Sequence, residues 1–290
     1  MSNAKGLTYT VLDVFAEAPL QGNPVAVVFG AARLSGAEMQ AIARETNLSE
    51  TTFVLHERAR DGAFDVRIFT PASELPYAGH PTLGTASAIR SALLDGVADG
   101  VVLRLGVGPV RVRFAADGLA WLESPVARFD SFPERELTAA ALGVPIDSLD
   151  PALPIEVQRT GSNQLLVPLR DPTALRGARI EAGAYERLIA AGGPKSLYAF
   201  ARGARDPRNH FSVRLFAPAK GVPEDPATGS AAGWFGAYLV RHRAHGAGAL
   251  DVRLEQGHEI SRPSLLHVRG GENAIEVGGR VIPSARGEWL

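Results

Sequence analysis

Apolar and polar positions along the chain recur with two periods. Short runs rich in β-branched residues, at or near alternation, occur over Thr8 to Phe15, Val25 to Phe29, Thr52 to Leu55 and Asp65 to Phe69. Further runs follow at Val101 to Leu105, Val110 to Phe114, Leu165 to Leu169, Ser196 to Ala201 and Ser212 to Phe216. Their length and period predict strands. Two longer stretches, Thr82 to Leu94 and about Ala227 to His242, have the length of helices but almost no polar face. A helix without a polar side is buried. Gly84-Thr85-Ala86-Ser87-Ala88 and Gly229-Ser230-Ala231-Ala232-Gly233 are small enough for strand backbones to come close. The pattern therefore predicts an α+β protein in which a curled sheet wraps a central helix, twice. Ser35-Gly36-Ala37-Glu38 reads as a capping box ahead of Met39, Ile42 and Ala43, and Leu137 to Leu142 and Ala184 to Ala191 read as outer helices.

The chain repeats itself. Val66-Arg67-Ile68-Phe69-Thr70-Pro71 matches Val213-Arg214-Leu215-Phe216-Ala217-Pro218. Downstream, His80-Pro81-Thr82-Leu83-Gly84 matches Asp225-Pro226-Ala227-Thr228-Gly229, and upstream Gly22-Asn23-Pro24 matches Gly161-Ser162-Asn163. Three matches in one order predict two similar halves. Asp117-Gly118 offers a turn between them, which places an N-terminal lobe at 1–118 and a C-terminal lobe at 119–275. A final strand near Val277 to Ile282, within 276–290, is expected to return to the first lobe.

Composition narrows the chemistry. The formal net charge is −1, and no basic block points to nucleic acid. There is no cysteine, which removes disulfides, thiolate nucleophiles and thiolate-bound metals together. No stretch is long and apolar enough to span a membrane, and the first residues show no leader pattern, so a cytoplasmic protein is expected. His242 and His245 lack carboxylate partners at metal spacing, and Gly106-Val107-Gly108 lacks a third glycine and a following helix. Neither a metal site nor dinucleotide binding is expected.

Three side chains remain as candidates. His80 and Asp225 stand at matching repeat positions, each before a proline suited to a first helical turn. Asp225 reads either as a helix N-cap or as part of a site at which helix N–H groups hold an anion. His80 reads as a buried structural histidine or as an orienter of a substrate hydroxyl. Glu50 opens a strand-like run beside Leu48, Phe53 and Val54. Partial burial would suit it to acid–base work, although the pattern alone favours a surface carboxylate at a strand end.

These motifs resemble one family. Asn47-Leu48-Ser49-Glu50-Thr51-Thr52-Phe53-Val54, Glu74-Leu75-Pro76-Tyr77-Ala78-Gly79-His80-Pro81-Thr82, Glu224-Asp225-Pro226-Ala227-Thr228-Gly229-Ser230, Gly22-Asn23-Pro24 and Gln256-Gly257 together are similar to the phenazine-biosynthesis isomerase family. The resemblance implies the diaminopimelate epimerase fold, with two pseudo-symmetric lobes and the active site in the cleft between them. It also implies a homodimer that needs no cofactor and acts on a small-molecule carboxylate. It makes Glu50 the group that moves a proton on an unsaturated cyclic acid, as in the isomerisation of trans-2,3-dihydro-3-hydroxyanthranilate. His80 and Asp225 then hold the substrate's polar groups, with Ser49, Gly79, Gly229 and Ser230 as further binding positions. Two features depart from the pattern. The chain lacks the cysteine pair of diaminopimelate epimerases, and Gly161-Ser162-Asn163-Gln164 is less basic than the matching segment of the phenazine enzymes. An amino-acid or hydroxy-acid epimerase, or a small-acid binding protein without chemistry, stands as the alternative.

Overall fold

In a computed structural model the first half is built from two β-α-β crossovers. The structure describes residues 6–246 and 248–289, so the start of the chain, where a leader was looked for, lies partly outside the described residues. The chain divides into two units, Met1–Glu123 with Gly278–Leu290, and Ser124–Val277. Unit 1 contains β1 (Thr8–Val14), β2 (Asn23–Val28), α1 (Gly36–Thr46), β3 (Glu50–Val54), β4 (Phe64–Phe69), β5 (Glu74–Leu75), α2 (Gly79–Leu93), β6 (Gly100–Leu105), β7 (Gly108–Phe114) and β8 (Ala120–Glu123). It runs past 118 to Glu123 because β8 pairs antiparallel with β7. Strands β2 and β3 lie parallel, with α1 as their crossover, and β4 and β6 lie parallel, with α2 between them in sequence.

Unit 2 repeats the plan. It holds β9 (Phe129–Ser131), α3 (Arg135–Ala141), β10 (Glu156–Gln158), β11 (Gln164–Leu169), α4 (Pro172–Gly177), α5 (Ala182–Ala190), β12 (Leu197–Arg202), β13 (Phe211–Ala217), β14 (Val222–Asp225), α6 (Gly229–Arg241), β15 (Leu250–Gln256) and β16 (Ser264–Gly270). The parallel pairs are β11 with β12 and β13 with β15. The chain ends in β17 (Ile275–Gly279) and β18 (Val281–Glu288). The single final strand expected over Val277 to Ile282 is thus two strands. The backbone breaks at Arg280, whose carbonyl accepts from the Phe15 and Ala16 amides, and β18 then pairs with β1.

Each unit encloses one helix. α2 packs against β1, β2, β3, β6, β7 and β8. A Cβ at Gly84 would come 2.4 Å from Val25 Cγ1 and 3.0 Å from Val14 Cγ2, so glycine there sets how close β1 and β2 approach. Ser and Thr side chains on α2 satisfy themselves inside the unit: Thr85 donates to the Pro81 carbonyl and shares a 2.7 Å bond with Thr52, and Ser87 donates to the Leu83 carbonyl. α6 is enclosed by an aromatic cluster instead. Phe235 lies against Phe200, Phe211 and Tyr198 with ring centroids 4.5–5.7 Å apart, and each buried ring stabilises by about 1.5–3 kcal/mol. The outer face of β11 and β12 carries a second core with α3, α4 and α5, so all six positions of β11 are buried. In unit 1, α1 covers the corresponding face with Met39, Ile42 and Ala43, and its Ser35–Glu38 capping box forms as expected. Among the described residues no helix is long and apolar enough to cross a membrane.

The structure realigns the duplication. Ile68 pairs with Leu75 in unit 1, and its match Leu215 pairs with Asp225 in unit 2. Arg67 bridges Glu74 as Arg214 bridges Glu224. α2 begins at Gly79 and α6 at Gly229. An offset of 147 at Val66 and Val213 therefore becomes 150 from Glu74 onward, the extra residues being taken up by a turn at Pro218–Lys220. His80 then corresponds to Ser230, and Asp225 to Leu75, which corrects the equivalence of His80 with Asp225 expected from the sequence. Thr52 and Tyr198 pair with Ile68 and Leu215, so Glu50 corresponds to Ser196.

The two ion pairs differ in burial, and this sets a test. The side chains of Arg214 and Glu224 are only 8% and 9% exposed, and Arg214 also donates to the Leu175 and Ala178 carbonyls. Those of Arg67 and Glu74 are 34% and 44% exposed. Arg214→Met should cost about 3–5 kcal/mol in denaturant unfolding, since it strands a buried carboxylate. Arg67→Met should cost less than about 1 kcal/mol.

Candidate active site

Glu50 and His80 are brought together by unit 1. Parallel pairing of β2 with β3 sets Val25 beside Glu50, the first residue of β3. His80 lies in the first turn of α2, after Gly79, the first residue of that helix. Its Nε2 is 3.3 Å from Glu50 Oε2, and the two side chains are 7% and 16% exposed. Glu50 is therefore enclosed in the unit and is not the surface carboxylate that the sequence pattern favours.

The imidazole is held by β2. The Pro24 carbonyl accepts a hydrogen bond from the ring, and since Nε2 faces Glu50 without a hydrogen bond of its own, Nδ1–H is the donor. Burial pushes His80 from its ordinary 6.5 down to about 3, against a smaller upward pull from the Pro24 carbonyl. The ring is thus neutral at physiological pH and turns the lone pair of Nε2 toward Glu50. Ser49, next to Glu50, donates to Asn23 Oδ1 at 2.9 Å. The segment Asn23-Pro24 therefore positions both partners, Ser49 through a side chain and His80 through a carbonyl. The sequence signal was the Gly22-Asn23-Pro24 motif, whose partners are invisible until β2 and β3 pair.

Unit 2 gathers the other candidates. Asp225 ends β14, three residues before Thr228, and α6 starts at Gly229. The N-cap of α6 is Thr228, whose side chain makes no capping bond, so Asp225 is not the N-cap. Asp225 still pairs with Leu215 in the ladder, and the helix begins only after Thr228. The Thr228 hydroxyl, which as N-cap could stabilise the helix by about 1 kcal/mol, donates instead to Asp225 Oδ2. The N–H groups of Gly229 and Ser230 lie in the first turn, where no intrahelical carbonyl precedes them. This end of α6 carries positive dipole and open donors, suited to a carboxylate. Gln256, which the sequence offered only as part of the Gln256-Gly257 motif, braces the segment: its Nε2 donates to the Asp225 carbonyl at 2.8 Å and its Oε1 accepts from the Thr228 amide at 3.2 Å.

Each set is assembled within its own unit: Ser49, Glu50, Gly79 and His80 in the first, and Asp225, Gly229 and Ser230 in the second. At the positions of Glu50 and His80, unit 2 has Ser196 and Ser230. The acid–base pair is therefore present once and not twice. Among the described residues no group of three or more His, Cys, Asp or Glu side chains could hold a metal ion.

Comparison with known proteins shows the family and the fold. The family model described as phenazine biosynthesis-like protein matches residues 12–287. The chain is 40% identical over 287 residues to the trans-2,3-dihydro-3-hydroxyanthranilate isomerase of Pseudomonas aeruginosa, covering 96% of this chain and 98% of that one. Among solved structures, it is similar to a phenazine biosynthesis protein of the same family from Bacillus anthracis, with a TM-score of 0.88, 25% identity and 99% of both chains covered. A hydroxyproline epimerase from Agrobacterium vitis, at 12% identity and a TM-score of 0.60 over 98% of this chain and 91% of that one, shares the fold.

The depressed His80 gives a signed expectation for stability. Above pH 6.5 the ring is neutral in both folded and unfolded chains and contributes no pH dependence. As pH falls from 6.5 toward 3, only the unfolded chain takes the proton, and stability drops by up to about 1.4 kcal/mol per pH unit. Denaturant unfolding at pH 7 and pH 5 should show wild type losing more stability between them than His80→Asn. Equal losses would contradict a neutral buried ring.

Proposed function

The chain belongs to the phenazine biosynthesis-like family, and from that premise we propose a cofactor-independent isomerase that moves a proton on a small unsaturated cyclic acid. The substrate class is that of trans-2,3-dihydro-3-hydroxyanthranilate, the compound named for the Pseudomonas relatives. The observation that carries the reading is the Glu50–His80 pair, 3.3 Å apart, with His80 buried, Glu50 largely enclosed and no second copy in unit 2. Glu50 as carboxylate removes the ring proton at C3, and the electron pair of that C–H bond enters the conjugated system. The carboxyl proton so gained can be shared with the lone pair of His80 Nε2, which keeps the acid oriented. Glu50 then returns the proton toward C1, and the double bonds have moved. One proton leaves and one comes back, with no change in oxidation state. General acid–base transfer contributes about 10²–10⁴-fold to such a step.

The substrate carboxylate is assigned to the Gly229 and Ser230 amides, and a polar ring substituent to Asp225. Support comes from the open first turn of α6 and from the Thr228 and Gln256 bonds that hold Asp225 beside it. Each amide donor aimed at developing negative charge is worth about 10²–10³-fold in rate. Ser49 and Gly79 flank Glu50 and His80 and bind through contacts near the reacting ring. An epimerase would need an acid and a base on opposite faces of one carbon; the serines at the counterpart positions speak against that duplication of roles. The same reading takes the protein as a cytoplasmic homodimer, as the family resemblance suggests. A sedimentation run that returned the monomer mass would remove the dimer.

Glu50→Gln should lower kcat at least about 10³-fold while leaving the Kd for 3-hydroxyanthranilate, the aromatic analogue that cannot isomerise, within about threefold. Turnover near the wild-type rate would sink the assignment of Glu50. In D2O the product should carry label at the carbon to which the double-bond shift delivers the proton. Label with inverted configuration at the original carbon would point to an epimerase, and binding of the analogue without turnover of any related acid to a binding protein.

A further inference from the structure

We propose that Gln256 is a positioning residue that fixes the direction in which the Asp225 carboxylate faces and its role as hydrogen-bond acceptor. The proposal rests on the reading that Asp225 holds a polar group of the substrate. Gln256 ends β15 and is 1% exposed. Its amide grips both ends of the segment Asp225 to Thr228. Nε2 donates to the Asp225 carbonyl at 2.8 Å and to Thr228 Oγ1 at 3.1 Å, and Oε1 accepts from the Thr228 amide at 3.2 Å.

These bonds can run in one sense only. The Asp225 carbonyl can only accept and the Thr228 N–H can only donate, so the two ends of the glutamine amide cannot be exchanged. Thr228 Oγ1 accepts from Gln256, and its single proton is left for another acceptor. The atom it reaches is Asp225 Oδ2. Direction thus passes from Gln256 through Thr228 to the carboxylate. Thr228 does not cap α6 while so engaged, and the first amides of the helix stay available to a ligand.

The internal duplication shows that the fold does not require this arrangement. β4 and β6 pair through Phe64 with Leu103, and β13 and β15 through Phe211 with Leu254. Gln256 therefore corresponds to Leu105, and Gly257 to Gly106. Both glycines lie against the matching proline, since a Cβ would come 2.9 Å from Pro76 Cα in one unit and 2.6 Å from the Pro226 carbonyl oxygen in the other. Where unit 1 places Leu105 and Leu75, unit 2 places Gln256 and Asp225. In unit 1 the same backbone closes with two leucines at these positions, so the fold itself does not call for the amide or the carboxylate.

Four variants test this: Gln256→Leu, Thr228→Val, Thr228→Ser and Asp225→Asn. Gln256→Leu should weaken binding of 3-hydroxyanthranilate and raise KM for trans-2,3-dihydro-3-hydroxyanthranilate by about tenfold or more, with kcat within about threefold. Thr228→Val should do the same, and the double variant should be no worse than the poorer single one, because both break one relay. Thr228→Ser keeps the hydroxyl and should restore binding. Unchanged binding in Gln256→Leu, additive losses in the double variant, or Ser and Val behaving alike at position 228 would each overturn the proposal. If Gln256→Leu does not fold, the Ser and Val pair decides. A crystal structure of the Leu variant needs no ligand: Asp225 should have turned from the Thr228 hydroxyl, and an unchanged bond would again overturn it. Wild-type binding in Asp225→Asn would instead strike the underlying assignment of Asp225. Weak binding there with wild-type binding in Gln256→Leu and Thr228→Val would strike only the role of Gln256.

Discussion

A helix enclosed by strands has no solvent to satisfy its polar groups, and that constraint shapes both units. Every side chain on the enclosed helix must be apolar, very small, or bonded within the unit. In α2 the small residues let β1 and β2 close in, and its Ser and Thr hydroxyls turn back to backbone carbonyls. In α6 rings fill the same role, with Phe235 at the centre of a cluster from β12 and β13. The first turn of such a helix cannot be satisfied from within, because its amides lack intrahelical acceptors. The proposed anion site lies at such a start, where the fold leaves donors.

The two units answer that constraint differently, and the difference is where function enters. In unit 1 the helix start carries His80, pinned through Nδ1 to the Pro24 carbonyl and kept neutral by burial, with Glu50 across from Nε2. In unit 2 serines occupy those positions, and the helix start is left uncapped while Gln256 and Thr228 hold Asp225 to one side. On the proposed reading, one copy moves the proton and the other holds the substrate's anion and hydroxyl. A duplicated fold that kept identical residues in both copies would favour the opposed acid and base of a racemase. This one has divided the labour.

Much of the fold was legible in the sequence because it follows from local period. Alternating β-branched runs, the capping box at Ser35 and the two helices without a polar face all report burial that any packing must respect. Other elements were not assigned. β5, β9 and β14 are two to four residues long and exist only because a longer neighbour offers its edge. β15 alternates plainly over Leu250–Gln256 and could have been recognised.

The sequence by itself determined the residue types and motifs, the absence of cysteine chemistry and the existence of two copies. It could not determine the register between those copies. A proline after each suggested that His80 and Asp225 were counterparts, yet strand pairing and the two Arg–Glu bridges place their counterparts at Ser230 and Leu75. Only tertiary structure decided that Glu50 is enclosed against a neutral histidine and that Gln256 reaches Asp225. Both depend on contacts between residues 30 apart in the chain or nearly so. A dipeptide records a local backbone preference, whereas which side chains meet is set by how strands pair, and pairing is a property of the whole unit.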